Sequence, residues 1–522
     1  MSEIITSPQM DKLATLLEEG SRANEKSVFR FIEPASGTLR RATSKRHHIV
    51  FGRRGSGKTS LLKKAAANLT ISRRPIAYVD LEPYKGNHYP DVLISVLIAS
   101  LTSFKEWLDT AAVHPSTKKA FWEKLFGTVP EKPAFNRKGA QELADRMKKT
   151  VEELNRLLYQ SDNAELQQRI QRNQESTDAR GFSSDIELGS AAVTFQSERA
   201  NTNISNSEIQ ENYRRSKIDF LYRKVIGYQD IFKTLTKLSS GDSFLFLDDL
   251  YHIPRDNQAR LLDYFHRIAK GNDLWLKIGT IRHRSQWYVH GNPPTGLKIG
   301  DDADNIDLDL TLEKYALAKD FLANILKGLI EECSLPSIET FLAEGALDRL
   351  VLASGGVARD FLGIFRRSID EARERLKRHP EHYRGEKIGA EDVNLAVGAY
   401  GNNTKQEEFK RDTLDDRRNL ETAFERIRNF CTKQANANCF LLDQDASGHE
   451  VELIQELVDL RLIHLVNSRV TVSNRIGKVY KAFMLDVSQY AGERKRRNFK
   501  MIEFWQTSSR ESLRRATLIY EP

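Results

Sequence analysis

Cysteine is scarce in this chain. Only Cys333, Cys431 and Cys439 occur in 522 residues, an odd number with no closely spaced pair. That excludes a disulfide framework and a structural zinc site, and it points to a reducing, cytoplasmic setting. Long apolar runs are missing as well. The longest, Val92–Leu101, is about half of what a spanning helix requires and reads as a buried helix, so no membrane partner is expected. The first twenty residues lack a basic-then-apolar pattern, so no secretory leader is expected. Neither sign of charge dominates: 80 Lys and Arg against 72 Asp and Glu leave +8, which permits nucleic-acid contact without requiring it. There is no internal repeat. With 40% apolar and 29% charged residues, the composition is that of a globular chain, and roughly 150 residues per domain suggests two to four domains.

Alternating patterns place a parallel α/β sheet covered on both faces at the centre of the chain. Residues 1–45 form a preamble with helical periodicity at Met10–Leu17. His48–Phe51 reads as a strand, the following loop is glycine-rich, and Ser60–Leu69 reads as a helix. Ile76–Leu81, Ser243–Leu247 and Leu274–Thr280 are further buried strands. Residues 312–400 are helical and residues 415–490 form a last unit. In that unit we expect a strand at Phe440–Asp443, a helix at Glu450–Leu460, and a hairpin of Leu462–Val466 and Arg469–Ser473 turning at Asn467-Ser468. The expected organisation is therefore a preamble (1–45), a core (46–311), a helical lid (312–400), a winged-helix-like unit (415–490) and a basic, polar tail (491–522).

The chemistry concentrates in Gly52-Arg-Arg-Gly-Ser-Gly-Lys-Thr59, which satisfies GxxxxGK[ST] at every fixed position between a strand and a helix. Glycines let successive N–H groups turn inward around phosphate oxygens, and the helix N-terminus adds its positive dipole. Gly52, Gly55, Ser56, Gly57, Lys58, Thr59 and Ser60 are the expected ATP contacts. Lys58 reaches the β- and γ-phosphates and Thr59 offers a hydroxyl to Mg2+. The strand Ser243–Leu247 ends in Asp248-Asp249. A buried strand aims Asp248 at the metal, and Asp249 stands where a general base would polarise water. Thr280 and Arg282 follow the next strand, and Arg359 opens a helix after Gly355-Gly356. Polar groups in those places can touch the γ-phosphate and report ATP against ADP.

Lys58 and Asp248 lie much further apart than the intervening core elements require. We read most of 112–217 as an insertion that holds a partner. Within it, Ala140–Ile170 carries the stripe Leu143, Met147, Val151, Leu154 and Leu158. An arm of a coiled-coil hairpin and a helix lying on the core are equally open. Residues 173–217 read as a mobile loop with strand or hairpin at Ile186–Phe195, and helix resumes from Lys217 to Leu238.

On these residues the chain resembles the AAA+ ATPases, specifically the origin-recognition and Cdc6-like group, over about 25–490 apart from the insertion. GRRGSGKT looks like the Walker A motif and LFLDD like Walker B. GTIR stands at the sensor 1 position, and SGGVARDFL looks like the start of the sensor 2 helix. Asp-Asp in place of Asp-Glu, together with Thr-x-Arg at sensor 1, looks more like the STAND signalling ATPases. The resemblance implies a Mg2+–ATP-binding switch with slow hydrolysis that assembles with itself or with a protein partner through the insertion. In assemblies of this kind a neighbour supplies an arginine to the γ-phosphate, and Arg255, Arg260 and Arg267 are open for that role.

DNA contact stays open. The expected recognition helix carries Glu450, Glu452, Glu456 and Asp459, the wrong sign for a phosphate-facing helix. Arg469, Arg475, Lys478 and the run Arg494–Arg497 offer backbone contact instead. Three functions therefore stand side by side: a DNA-associated ATPase, a STAND-like switch in antiphage defence, and a non-hydrolysing ATP-binding scaffold.

Overall fold

The computed structural model describes residues 4–20, 30–72, 74–113, 136–159, 191–239, 241–343, 345–378, 386–412, 417–473, 475–491 and 499–521. Helices α1 (Pro8–Glu19) and α2 (Thr38–Ala42) precede the sheet. Strand β1 (His47–Phe51) is buried along its whole length, its two histidines as well as Ile49, Val50 and Phe51. After it come α3 (Lys58–Ile71), β2 (Ile76–Asp80), α4 (Asp91–Val113), α5 (Arg137–Leu158), α6 (Ala191–Ser239), β3 (Ser243–Asp248), α7 (Arg255–Ala269) and β4 (Leu274–Thr280). A short ribbon of β5 (Tyr288–Val289) and β6 (Thr295–Gly296) leads to β7 (Ala303–Asp307).

The main sheet has the order β2-β3-β4-β1-β7, and every pairing is parallel. Parallel register brings all five C-terminal ends to one edge. Asp80 lies beside Asp248, and Phe51 lies between Thr280 and Asp307. That edge is where open α/β sheets take ligands. Strand β4 separates β1 from β3, so the glycine loop and the Asp-Asp pair stand two strands apart.

The insertion helix α5 lies on the core. Leu143, Met147 and Leu154 are buried, with Val151 and Leu158 partly so, in one cluster with Leu97, Leu101 and Phe104 of α4 and Phe232 of α6. This resolves the two readings of the stripe in favour of a packed helix; residues 160–170 of that reading lie outside the described residues. Helix α6 corrects a second expectation. The chain is helical from Ala191, not from Lys217, so neither a loop nor a strand covers 191–195. The segment 191–239 contains no proline and a single glycine, Gly227, so nothing in it interrupts helical hydrogen bonding. Residues 173–190 lie outside the described residues.

A helical layer follows: α8 (Tyr315–Glu332), α9 (Ile338–Phe341), α10 (Ala346–Ser354), α11 (Ala358–Arg378) and α12 (Ala390–Tyr400). Helix α1 packs here, through Met10, Leu13 and Leu17. A π-helical turn, Gly401–Lys405, runs on into α13 (Gln406–Asp412). The last unit contains α14 (Arg417–Asn429), β8 (Cys439–Asp443), α15 (His449–Asp459), β9 (Ile463–Val470) and β10 (Tyr480–Leu485). Its antiparallel sheet has the order β8-β10-β9, compatible with a winged-helix-like unit.

The hairpin expected at Asn467-Ser468 is not there. Strand β9 runs through these residues to Val470, which is buried and pairs with Tyr480. A register irregularity between Tyr480 and Phe483 absorbs the break in alternation. The turn falls between Val470 and Tyr480, with Gly477 at φ +81° and Ile476 fully exposed.

The tail is also not a free polar segment. Ile502, Phe504, Leu513 and Leu518 are buried in the lid's cluster, and Trp505 stacks on Tyr315 with ring centroids 5.5 Å apart. The run Arg494–Arg497 lies outside the described residues. Phe504→Ala should therefore lower unfolding stability by about 3 kcal/mol or more, while Ile476→Ala should change it by under about 0.5 kcal/mol. Denaturant unfolding of the two variants checks this.

Candidate functional site

The loop between β1 and α3 is built for close approach. Gly57 caps α3 at φ +96°, and Gly55 sits at φ +83°. A Cβ at Gly55 would lie 2.6 Å from Cβ of Arg359, so only glycine lets the loop meet the start of α11. The Arg359 N–H donates to the Gly55 carbonyl at 3.3 Å. Lys58 is buried, and its Nζ donates to the carbonyls of Gly52 (2.8 Å) and Arg53 (3.2 Å). Burial pulls its pKa down, and Asp249, Asp248 and Asp309 act against that. Ser56 Oγ is buried with no hydrogen-bond partner. Thr59 and Ser60 lie half-buried on the first turn of α3.

Asp248 is 2% exposed. Tyr78 Oη donates to its Oδ2 at 2.5 Å and the Asp249 N–H donates to its Oδ1 at 3.0 Å. Burial and the neighbouring Asp249 push its carboxyl up to about 6, although hydrogen bonds from Tyr78 and Thr59 pull the other way. The bond to Thr59 joins the two residues expected at the metal. A Cβ at Gly279 would stand 2.5 Å from Asp248 Oδ1, so β4 can pass this carboxylate only as glycine. Asp249 has left-handed backbone angles (φ 58°, ψ 46°), unusual for a residue with a side chain. Burial raises its pKa, Lys58 opposes the rise, and Asp80 reinforces it.

The remaining expected residues divide. The Thr280 carbonyl accepts from the Gly52 N–H at 3.3 Å, but its buried hydroxyl is bonded to that of Ser285. Arg282 lies over the Phe51 ring at 4.0 Å and pairs with Asp307 at 3.2 Å. Both side chains are thus committed to the β4–β7 side of the edge, whereas Arg359 is seated on the loop. Among the arginines of α7, Arg260 lies over Tyr89 (5.6 Å) and Arg267 pairs with Asp263 (2.7 Å), while Arg255 is exposed.

Sequence reading missed several residues. Arg53, 4% exposed, donates from its backbone to Asp309 at 2.8 Å and from Nη2 to the carbonyls of Gly355 (3.0 Å) and Leu310 (3.2 Å). It occupies a variable position of the motif, so nothing local marks it. Tyr78 stands at a half-buried position of the edge strand β2, where its apolar neighbours hid it. Less expected still, the end of α15 reaches the cleft. Asp459 and Arg461 line a small pocket together with Arg54, Tyr251 and Arg284. Burial, then Asp309, push the Asp459 carboxyl up to about 7, against Arg284, Arg53 and Lys58.

The donor set fits a magnesium-bound nucleotide. It offers an orphaned hydroxyl and a buried ammonium for phosphate, with the hard oxygens of Thr59 and Asp248 for the metal. Among the described residues no group of three metal-ligating side chains occurs. Mg2+ takes one or two protein oxygens and completes its sphere from phosphate and water. Also among the described residues, no helix is long and apolar enough to cross a membrane.

The family model described as ORC-CDC6-like matches residues 23–350. No curated protein sequence matches the chain. Among solved structures it is similar to a Walker-type ATPase of Pyrococcus abyssi (10% identity, 90% of this chain and 95% of that one, TM-score 0.38). It is also similar to Cdc6p of Pyrobaculum aerophilum (11%, 93% and 94%, TM-score 0.31). A third is the Orc1 protein of Aeropyrum pernix, solved in complex with DNA (12%, 94% and 94%, TM-score 0.30).

The raised Asp248 carboxyl has a measurable sign. Its folded pKa lies above the ordinary 3.8, so the native state loses stability as pH rises from about 4 through 6. Asp248→Asn cannot ionise. Its melting temperature should gain on the parent's across that window and not below it; His47 and His48, whose pKa values burial depresses, are common to both proteins. Thermal melts of the nucleotide-free chains from pH 4 to 8 check this, and a constant difference would refute it.

Proposed function

The chain belongs to the ORC-CDC6-like family of AAA+ proteins, and from that premise we propose that it is a Mg2+–ATP-dependent assembly switch with slow turnover. The observation that carries this reading is the seam between the phosphate loop and α11. Gly55 accepts from Arg359 while Arg53 reaches Gly355, so a change in the loop is felt at once by the lid. In this reading Gly52, Gly55, Ser56, Gly57 and Ser60 contact the nucleotide, and Lys58 neutralises its phosphates. Thr59 and Asp248 hold Mg2+, which screens phosphate charge when bound. Asp249 takes a proton from the attacking water, and Arg359 reads the γ-phosphate. Thr280 and Arg282 complete the edge of the site.

Assembly would use the insertion, where Tyr159 is exposed at the end of α5, and the part of α6 just beyond it, where Tyr222 and Ile226 are exposed. Contact with duplex DNA would use Arg469, Arg475 and Lys478 around the β9–β10 turn, together with the run Arg494–Arg497. The acidic helix α15 instead faces Arg284. One observation favours a second reading, an ATP-holding scaffold of the STAND-like or non-hydrolysing kind. The Thr280 hydroxyl and the Arg282 guanidinium are held by Ser285, Asp307 and Phe51 rather than by the loop.

Equilibrium binding and turnover of ATP separate these outcomes. Lys58→Ala should weaken ATP binding by about tenfold to a hundredfold. Asp249→Asn should bind ATP like the parent and turn it over about a hundredfold more slowly. Full binding by Lys58→Ala would sink the proposal; equal turnover by Asp249→Asn would remove Asp249 from the base role.

A further inference from the structure

Helix α15 belongs to the C-terminal unit, yet its last turn lies beside Arg54 of the phosphate loop. Glu456 lies 3.9 Å from Arg284. Asp459, Leu460 and Arg461 line one small pocket with Arg54 of the loop and Tyr251, and the Tyr251 ring lies 5.8 Å from Lys58 Nζ. Asp459 is 9% exposed, and its Oδ2 has no hydrogen-bond partner. A carboxyl buried in this way with an oxygen unsatisfied is costly unless some opposing group makes use of it. The neighbouring cations of the phosphate loop are that group.

The position of Asp459 is fixed from behind. Arg461, at left-handed φ +62°, donates to Asp360 at 2.6 Å and pairs with Glu408. Asp360 directly follows Arg359, the residue seated on the loop. Lys405 reaches Asp486 at 2.6 Å, and His464 meets the same carboxylate at 2.8 Å. This cluster ties the C-terminal unit to the lid without involving Asp459, so the Asp459 carboxyl is held in the cleft by groups that a nucleotide would not touch.

We propose that Asp459 is a specificity-determining residue of the nucleotide site. It disfavours the terminal phosphate, so the docked C-terminal unit accepts a nucleoside diphosphate and a triphosphate binds only as α15 withdraws. This rests on the nucleotide-switch reading. The physical ground is that Asp459, ionised above the pH of about 7 to which burial pushes its carboxyl, then discriminates by the charge of what enters a partly desolvated site, so the titrations are run at pH 8. A triphosphate brings one charged group more than a diphosphate to the same lysine and arginines.

The test is calorimetric titration of the full chain, in Mg2+, with ADP and with the β,γ-imido analogue of ATP. Asp459→Asn should raise affinity for the triphosphate analogue about tenfold relative to ADP, and Asp459→Glu should keep the parent's ratio. A merely structural role would shift both nucleotides together, and an unmoved ratio in a folded Asp459→Asn chain overturns the inference. Lys58→Ala serves as the control. If it binds both nucleotides like the parent, the nucleotide reading itself fails; if it loses both while the Asp459→Asn ratio stays put, only this inference fails. Should Asp459→Asn not fold, the parent chain supplies the answer by hydrogen exchange. Amides of 449–461 should exchange about tenfold faster with the triphosphate analogue than with ADP, and equal exchange overturns the proposal.

Discussion

Arg53 bonds the carbonyls of Gly355 and Leu310 and the carboxylate of Asp309 from a position almost closed to water. The phosphate loop and the lid cannot part without Arg53 losing its bond to Gly355, a loss of about 1.5–3 kcal/mol for a hydrogen bond from a charged group. The loop's own shape depends on the same seam. Gly55 takes its left-handed backbone where Arg359 approaches, and Lys58 folds back onto the carbonyls of Gly52 and Arg53. Whatever binds the loop therefore acts on a junction already under constraint from both sides.

From this junction the coupling runs through adjacent residues and buried charge. Asp360 follows Arg359 and accepts from both Tyr400 (3.0 Å) and Arg461. Lys405, from a π-helical turn, is 2% exposed and lies between Asp486 and Asp360. Gly355 itself leaves no room for a side chain beside His464. Networks of this kind add little net stability against an apolar alternative, but they enforce one geometry because any other strands a charge. The lid and the C-terminal unit thus respond to the loop together, and α15 arrives at the cleft as a consequence.

The core was legible because its signals are local. Four apolar residues closing on Asp248 marked a buried strand, and the glycine spacing of 52–59 marked the loop between β1 and α3. Family membership followed from the same residues. The misreadings were of segments whose state is set by distant partners. Nothing in 191–217 breaks a helix, but its polar composition suggested a loop. The tail looked polar because Ile502, Phe504, Leu513 and Leu518 are spread among charged residues, and their burial depends on a lid more than a hundred residues earlier. Asn467-Ser468 has turn chemistry, yet Val470 needed a partner in Tyr480, and the strand ran on. Asp459 was weighed only for DNA, on the sign of its charge. That sign proved informative for a different surface, the one that Arg53, Arg284 and Lys58 make basic.

The account's central claim is that nucleotide at the loop changes how the chain assembles. Its most direct test is the molar mass of the purified protein by light scattering in Mg2+ alone, with ADP and with ATP, each with and without duplex DNA. The account predicts a larger mass with ATP than with ADP, lost in Lys58→Ala. The same mass in every nucleotide state would contradict it, whether or not DNA is bound.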